Sequence, residues 1–162
     1  YVVLTEGLTG VARVAEDEAL DRGGLIAEVL PGHLAKRAQS PDMALILKER
    51  AGACLSQRHP DAPGDVKSAL AREKLIFALA DAVFVVSADN LRGAAYEGAL
   101  EALKTQAKRF IYVWNDPGKP GNIDLIARGA TPFCPGDAFE PLAQGWRGAT
   151  QLSMFDRAEP LA

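Results

Sequence analysis

Several places in this chain carry residue types that could hold an anion or move a proton. The most informative is Ser87-Ala88-Asp89-Asn90-Leu91-Arg92-Gly93-Ala94, where an apolar run passes into a polar loop and then a small Gly-Ala pair. A helix opening at that pair offers free backbone N–H groups to an anion, small residues let a ligand approach, and Arg92 adds positive charge. The segment lacks a full glycine-rich phosphate fingerprint, so the competing reading is a tight strand-to-helix turn that needs small residues for packing. Glu97 stands about one helical turn beyond Gly93. There it could serve as a general base or a ribose ligand, or it could be a solvated carboxylate that suits a helix N-terminus. Arg72 and Lys74, in Ala71-Arg72-Glu73-Lys74, precede an apolar run and could reach a phosphate near its end. The competing fate for both is a solvated helix face, which suits Lys74 better than Arg72. His33 and His59 follow strand-like runs, but no nucleophile stands at a recognisable spacing from either, and surface histidines are the simpler reading. No G-x-S-x-G elbow, P-loop or H-E-x-x-H occurs.

The elements that must position these residues show in the hydrophobic pattern. Short apolar runs recur at Tyr1–Thr5, Leu25–Leu30, Ala53–Ser56, Ala82–Val86 and Phe110–Trp114, each bounded by Gly, Asp, Asn or Pro. Ala82-Val83-Phe84-Val85-Val86 is continuously apolar, as in a strand covered on both faces. Helical spacing appears over Thr9–Arg22 (stopped by Gly23-Gly24), over Asp42–Ala51 (after Ser40-Pro41), over Val66–Ala80 and over Gly93–Ala107. This alternation predicts an α/β fold, a three-layer, Rossmann-like, doubly wound and mainly parallel sheet. Gln57–Gly64 and Asn115–Gly121 are expected to be loops. Residues 1–134 are expected to form the domain and residues 135–162 an irregular tail. In such sheets ligands sit beyond the carboxyl ends of the strands. That rule selects Glu6–Gly10, Pro31-Gly32-His33, Gln57-Arg58-His59, Ser87–Gly93 and Asn115–Asn122.

The bulk properties narrow the function classes. The chain has 162 residues, 48% hydrophobic and 24% charged, enough for one domain with a real core. A formal charge of −3 argues against a basic protein coating long stretches of DNA, although 18 Lys and Arg can still cluster locally. Cys54 and Cys134 lack metal-site spacing and are expected to be buried free thiols in a reducing cytoplasm. No signal peptide and no bilayer-length apolar run is visible. The opening directly on Tyr1-Val2-Val3-Leu4-Thr5, with no start methionine or polar lead-in, suggests a fragment.

Two longer stretches carry a resemblance. Arg72 to Val86, an Arg-led helix running into a strand, resembles the central signature of the DprA/Smf DNA-processing proteins. Gly121-Asn122-Ile123-Asp124-Leu125-Ile126-Ala127-Arg128-Gly129-Ala130 is similar to that family's Gly-x-Asn-x-Leu-Ile-x-x-Gly-Ala segment. Thr5–Gly24 aligns with its second strand-turn-helix unit, although Glu6 replaces a glycine and Ala12 an aspartate, and Arg92-Gly93-Ala94 loses the hydroxyls of its Ser-Gly-Ser/Thr loop. The resemblance implies a domain that binds single-stranded DNA or a nucleotide phosphate and loads a recombinase onto DNA during uptake and recombination, without turnover, cofactor or metal. A ligand site is expected at Gly10, Arg72, Lys74, Arg92, Gly93, Ala94 and Asn122, with no membrane partner and, from the apolar edges a missing strand would expose, a homo-oligomeric state. An alternative is the "lonely guy" phosphoribohydrolases: Gly93-Ala94-Ala95-Tyr96-Glu97 is similar to their Gly-Thr-x-x-Glu turn, which would make Glu97 and Arg72 catalytic. A third reading, motivated by Glu6 and Ala12, is a degenerate domain acting as a scaffold.

Overall fold

The computed structural model describes residues 1–88, 91–105 and 110–137. Strands and helices alternate along it: β1 (Val2–Thr5), α1 (Val11–Asp21), β2 (Leu25–Leu30), α2 (Leu34–Ala38), α3 (Pro41–Lys48), β3 (Gly52–Ser56), α4 (Val66–Leu79), β4 (Ala82–Val85), α5 (Ala94–Lys104), β5 (Phe110–Trp114), α6 (Pro120–Ala127) and β6 (Thr131–Phe133). The strands form two three-stranded sheets, ordered β1-β2-β3 and β4-β5-β6. Every pairing is parallel, with Val3 opposite Ile26, Ala27 opposite Ala53, and Val83 opposite Ile111. The protein is thus α/β and Rossmann-like, with its sheet hydrogen bonding split into two halves among the described residues.

Each half builds its core around its middle strand. In the first, Ile26 of β2 packs with Met43 and Ile46 of α3. In the second, Ile111 and Val113 of β5 join Phe77, Val85, Tyr96, Ala99 and Leu125. Helix α4 joins the halves, packing on β2 and on α5. At the α4–α5 crossing, a Cβ on Gly98 would stand 2.8 Å from the Phe77 ring, so glycine allows the two helices to approach.

The helix ends follow local chemistry. Asp65 and Ser68 form a reciprocal capping box at the start of α4: Ser68 N–H donates to Asp65 Oδ1 at 2.6 Å and Asp65 N–H to Ser68 Oγ at 2.8 Å. Gly23 N–H and Gly24 N–H bond back to Leu20 O and Ala19 O, ending α1 as the glycine pair predicts. Pro41 opens α3, but Ser40 makes no side-chain cap; its hydroxyl donates to Arg37 O and Asp42 instead.

Several expectations are corrected. The apolar run Ala82–Val86 does not form a doubly covered strand: among the described residues β4 pairs only with β5, and Phe84 is 42% exposed while stacking on Tyr112. Helix α6 begins at Pro120, inside the segment expected to be loop, because proline suits a first helical turn. Leu34–Ala38 and Thr131–Phe133 add a short helix and a strand absent from the apolar-run reading. Cys54 is half-buried and Cys134 exposed, both free. The tail beyond residue 137, residues Asp89 and Asn90, and the expected helix end at Ala107 lie outside the described residues.

Candidate anion-binding site

The carboxyl ends of β2 and β3 and the first turns of α4 enclose a cavity of about 230 Å³. Its apolar wall is Val29, Leu30, Pro31 and Ala71, and its polar lining includes Arg58, Lys67, Ser68 and Arg72. Arg72 is 8% exposed, and its Nε–H has no acceptor. An unmet donor on a buried guanidinium is costly, since desolvation is not repaid by a hydrogen bond. The nearest acid is its chain neighbour Glu73, at 3.6 Å. Burial raises the Glu73 pKa above the ordinary carboxylate value, the negative charge of Glu6 raises it further, and Arg72 opposes both. Glu6 thus lies within electrostatic reach of this cluster, as its position at the end of β1 allows.

Around the cavity the cations are incompletely neutralised. Arg58 reaches Asp65 at 3.2 Å, with both side chains more than a third exposed, a geometry worth little in water. Lys67 is exposed and forms no ion pair among the described residues.

The other expected site residues are distributed elsewhere. Lys74 is exposed and pairs with Glu101 of α5 at 2.8 Å, outside the cavity lining, because residues two apart point to different sides of a helix. Gly10 caps α1 with φ of 87°, a backbone state suited to glycine, and is exposed. Gly93 caps α5 with φ of 104°, also exposed, with exposed Arg92 before it and half-buried Ala94 after it. Asn122 is fully buried: its Oδ1 accepts from Ala88 N–H at 2.7 Å and its Nδ2 donates to Val86 O and Trp114 O at 3.1 and 2.8 Å. Both amide hydrogens are therefore spent on main-chain carbonyls, and the side chain ties α6 to the ends of β4 and β5. Glu97 is exposed on the first turn of α5. His33 and His59 are exposed as expected, His33 in a left-handed conformation with φ of 53°. The described residues contain no cluster of His, Cys, Asp and Glu that could hold a metal, and no helix long and apolar enough to cross a membrane.

Sequence reasoning selected Gln57-Arg58-His59 as a strand-end segment but did not single out Lys67 or Ser68. It also missed the buried polar network beside β1 and β2. There the Thr5 hydroxyl donates to Glu16, and Arg37 grips Glu28 through Nε and Nη2 at 2.7 and 2.5 Å while bonding Asp42 through Nη1. A Cβ on Gly7 would stand 2.7 Å from the Glu28 carboxylate, so the turn after β1 is closed around this network.

The sequence model of the DNA recombination-mediator protein A family matches residues 2–141. The chain belongs to this family. No curated protein matches it. Among solved structures, it is similar to DNA processing protein A (DprA) from Streptococcus pneumoniae, with a TM-score of 0.65 and 20% identity over 82% of this chain and 47% of that one. It is also similar to DNA processing protein A from Helicobacter pylori, whose structure is described as giving a single-stranded DNA binding mode, with a TM-score of 0.62 and 24% identity over 81% of this chain and 60% of that one. The chain thus spans roughly half the length of these DprA structures and shares their fold. The DprA resemblance carried by Arg72–Val86 and Gly121–Ala130 falls within the matched residues.

Proposed function

We propose that this DprA-family domain binds single-stranded DNA through its phosphates at the strand-end face, acting in DNA uptake or recombination without chemical turnover. The observation that carries this reading is the buried Arg72 guanidinium with an unmet Nε–H, lining a cavity at the ends of β2 and β3 in a chain of this family. Exposed Arg92 and Gly93 and half-buried Ala94 at the start of α5, with exposed Gly10 at the start of α1, would contribute backbone and cationic contacts along the same strand. Lys74 would act as a further phosphate contact once released from its exposed pair with Glu101. The bound strand would then pass to a recombinase in the cytoplasm. Among the described residues, β1 and β3 of one sheet and β4 and β6 of the other are each paired on one side only, and such unpaired edges support a homo-oligomer.

The test is titration of the protein with a labelled oligothymidylate at several salt concentrations. Binding should weaken with salt, each phosphate contact contributing about 0.7 to the slope of log affinity against log salt. Arg72→Gln should lower that slope by about one contact, whereas Arg72→Lys, which keeps the charge, should retain it. A protein that ignores the oligonucleotide at low salt would sink the proposal. The phosphoribohydrolase alternative is not favoured, because Glu97 is exposed on α5 and does not line the cavity that holds Arg72.

A further inference from the structure

The cavity lined by Arg72 has a size and charge that say more than phosphate affinity. At about 230 Å³ it falls below the roughly 300–1,000 Å³ of ordinary small-molecule pockets, so it takes one phosphate and part of the sugar or base attached to it rather than a length of strand. Three cations line it: Arg58 from the end of β3, and Lys67 and Arg72 from α4. Arg72 keeps an unmet buried donor beside its 3.6 Å contact with Glu73, Lys67 has no ion pair among the described residues, and Arg58 has only a solvent-exposed partner. A bridging phosphodiester offers one negative charge. A phosphate monoester offers about −1.5 to −2 near neutral pH and three strong acceptor oxygens. The monoester therefore matches the lining better, and the half-buried apolar surface of Pro31 and Ala71 suits the attached nucleoside.

We infer that this cavity is a nucleoside-monophosphate pocket, which seats a terminal phosphate through Arg58, Lys67 and Arg72 and packs its nucleoside on the Pro31 and Ala71 wall. The inference deepens the DNA-binding reading and rests on it for one of two sources of the ligand, the phosphorylated end of a strand. The other source is a free mononucleotide. The phosphate chemistry is the same for both.

The experiment titrates the full chain with three probes: oligothymidylate carrying a 5′-phosphate, the same oligonucleotide with a 5′-hydroxyl, and thymidine 5′-monophosphate. A strand-end site predicts about tenfold tighter binding of the phosphorylated oligonucleotide, equivalent to one or two charge-assisted hydrogen bonds. A site for free nucleotides predicts saturable binding of the monophosphate and no preference between the oligonucleotides. In either case the double variant Arg58→Gln, Lys67→Gln should abolish the monophosphate-dependent signal while the melting temperature stays near that of the wild type, since both side chains are exposed. Equal binding of the two oligonucleotides together with no binding of the monophosphate overturns the inference. So does a signal that survives in the double variant. Monophosphate binding without any oligonucleotide binding would uphold this pocket and overturn the single-stranded DNA reading.

Discussion

The two halves of the molecule are held together by different physics. Around β1–β3 the apolar cluster is small, and buried charge does much of the connecting: Glu28 and Glu16 are each 1% exposed, Arg37 ties Glu28 to Asp42 and Ser40, and Thr5 holds Glu16. Around β4–β6 an apolar cluster dominates, and buried Asn122 makes all its hydrogen bonds to main chain. A polar network specifies geometry but fails as a unit when one member is removed, whereas an apolar core loses stability in proportion to the atoms deleted. The half built on charge is also the half whose strand ends carry the cationic cavity. An interior that already orders charged groups can present more of them at one end.

The largest break in this comparison should come from Arg37→Leu. It leaves Glu28 buried without its counter-charge, and chemical denaturation should show a loss of about 3 kcal/mol. A loss below 1 kcal/mol would mean that the network does not hold the first half.

Asn122→Ala is the matching experiment in the second half. It strands Ala88 N–H and the carbonyls of Val86 and Trp114, and denaturation should report a loss of about 1–3 kcal/mol. Oligonucleotide affinity measured well below the melting temperature should change by less than twofold, because the side chain has no donor left for a ligand.

The charged network of the first half should also respond to pH in two opposite ways. Burial is the largest influence on Glu16 and raises its pKa above the ordinary carboxylate value, against the opposing hydrogen bond from Thr5. An acid whose folded pKa is raised binds its proton more tightly when folded, so its contribution to stability falls as pH rises from the unfolded value through the folded one. Glu16→Gln should therefore raise the melting temperature at pH 7 more than at pH 4. Asp42 behaves oppositely: hydrogen bonds from Arg37 and then Ser40 hold it well below the carboxylate range, so its stabilisation is present above the unfolded pKa and is lost only in strong acid. Equal shifts for Glu16→Gln at both pH values would remove burial as the cause.

The smallest effect should be Lys74→Ala. Its pair with Glu101 is more than half exposed, so less than about 1 kcal/mol of stability is at stake, while the salt slope of oligonucleotide binding should fall by about one contact if the side chain also meets phosphate.

Much of the secondary structure could be read from the chain because the signal was local. Leu25–Leu30 and Phe110–Trp114 are strands with the expected limits, since each is a short run rich in β-branched or aromatic residues, the first between Gly24 and Pro31 and the second stopped by Asn115-Asp116-Pro117. Gly23-Gly24 stops α1 because the backbone there needs glycine. Helix α6 escaped because Pro120-Gly121-Asn122 has the composition of a turn. The reason for Gly121 is visible only in space, where a Cβ would collide with Ala88 O. The strand ends as a class were readable, but the membership of the cavity was not: Arg58 and Lys67 lie at either end of a proline-rich loop, and only its path brings them to Arg72.

Sequence alone determined the alternation of strands and helices, the parallel α/β class and the DprA-like stretches, because these rest on side-chain periodicity and short-range backbone preference. Tertiary structure decided which strand ran along an edge, that Asn122 turned inward, that Lys74 faced Glu101, and that Arg72 kept an unmet hydrogen-bond donor. Those outcomes depend on which distant groups share a desolvated space, and burial and partnership are properties of the packed chain rather than of any residue in it.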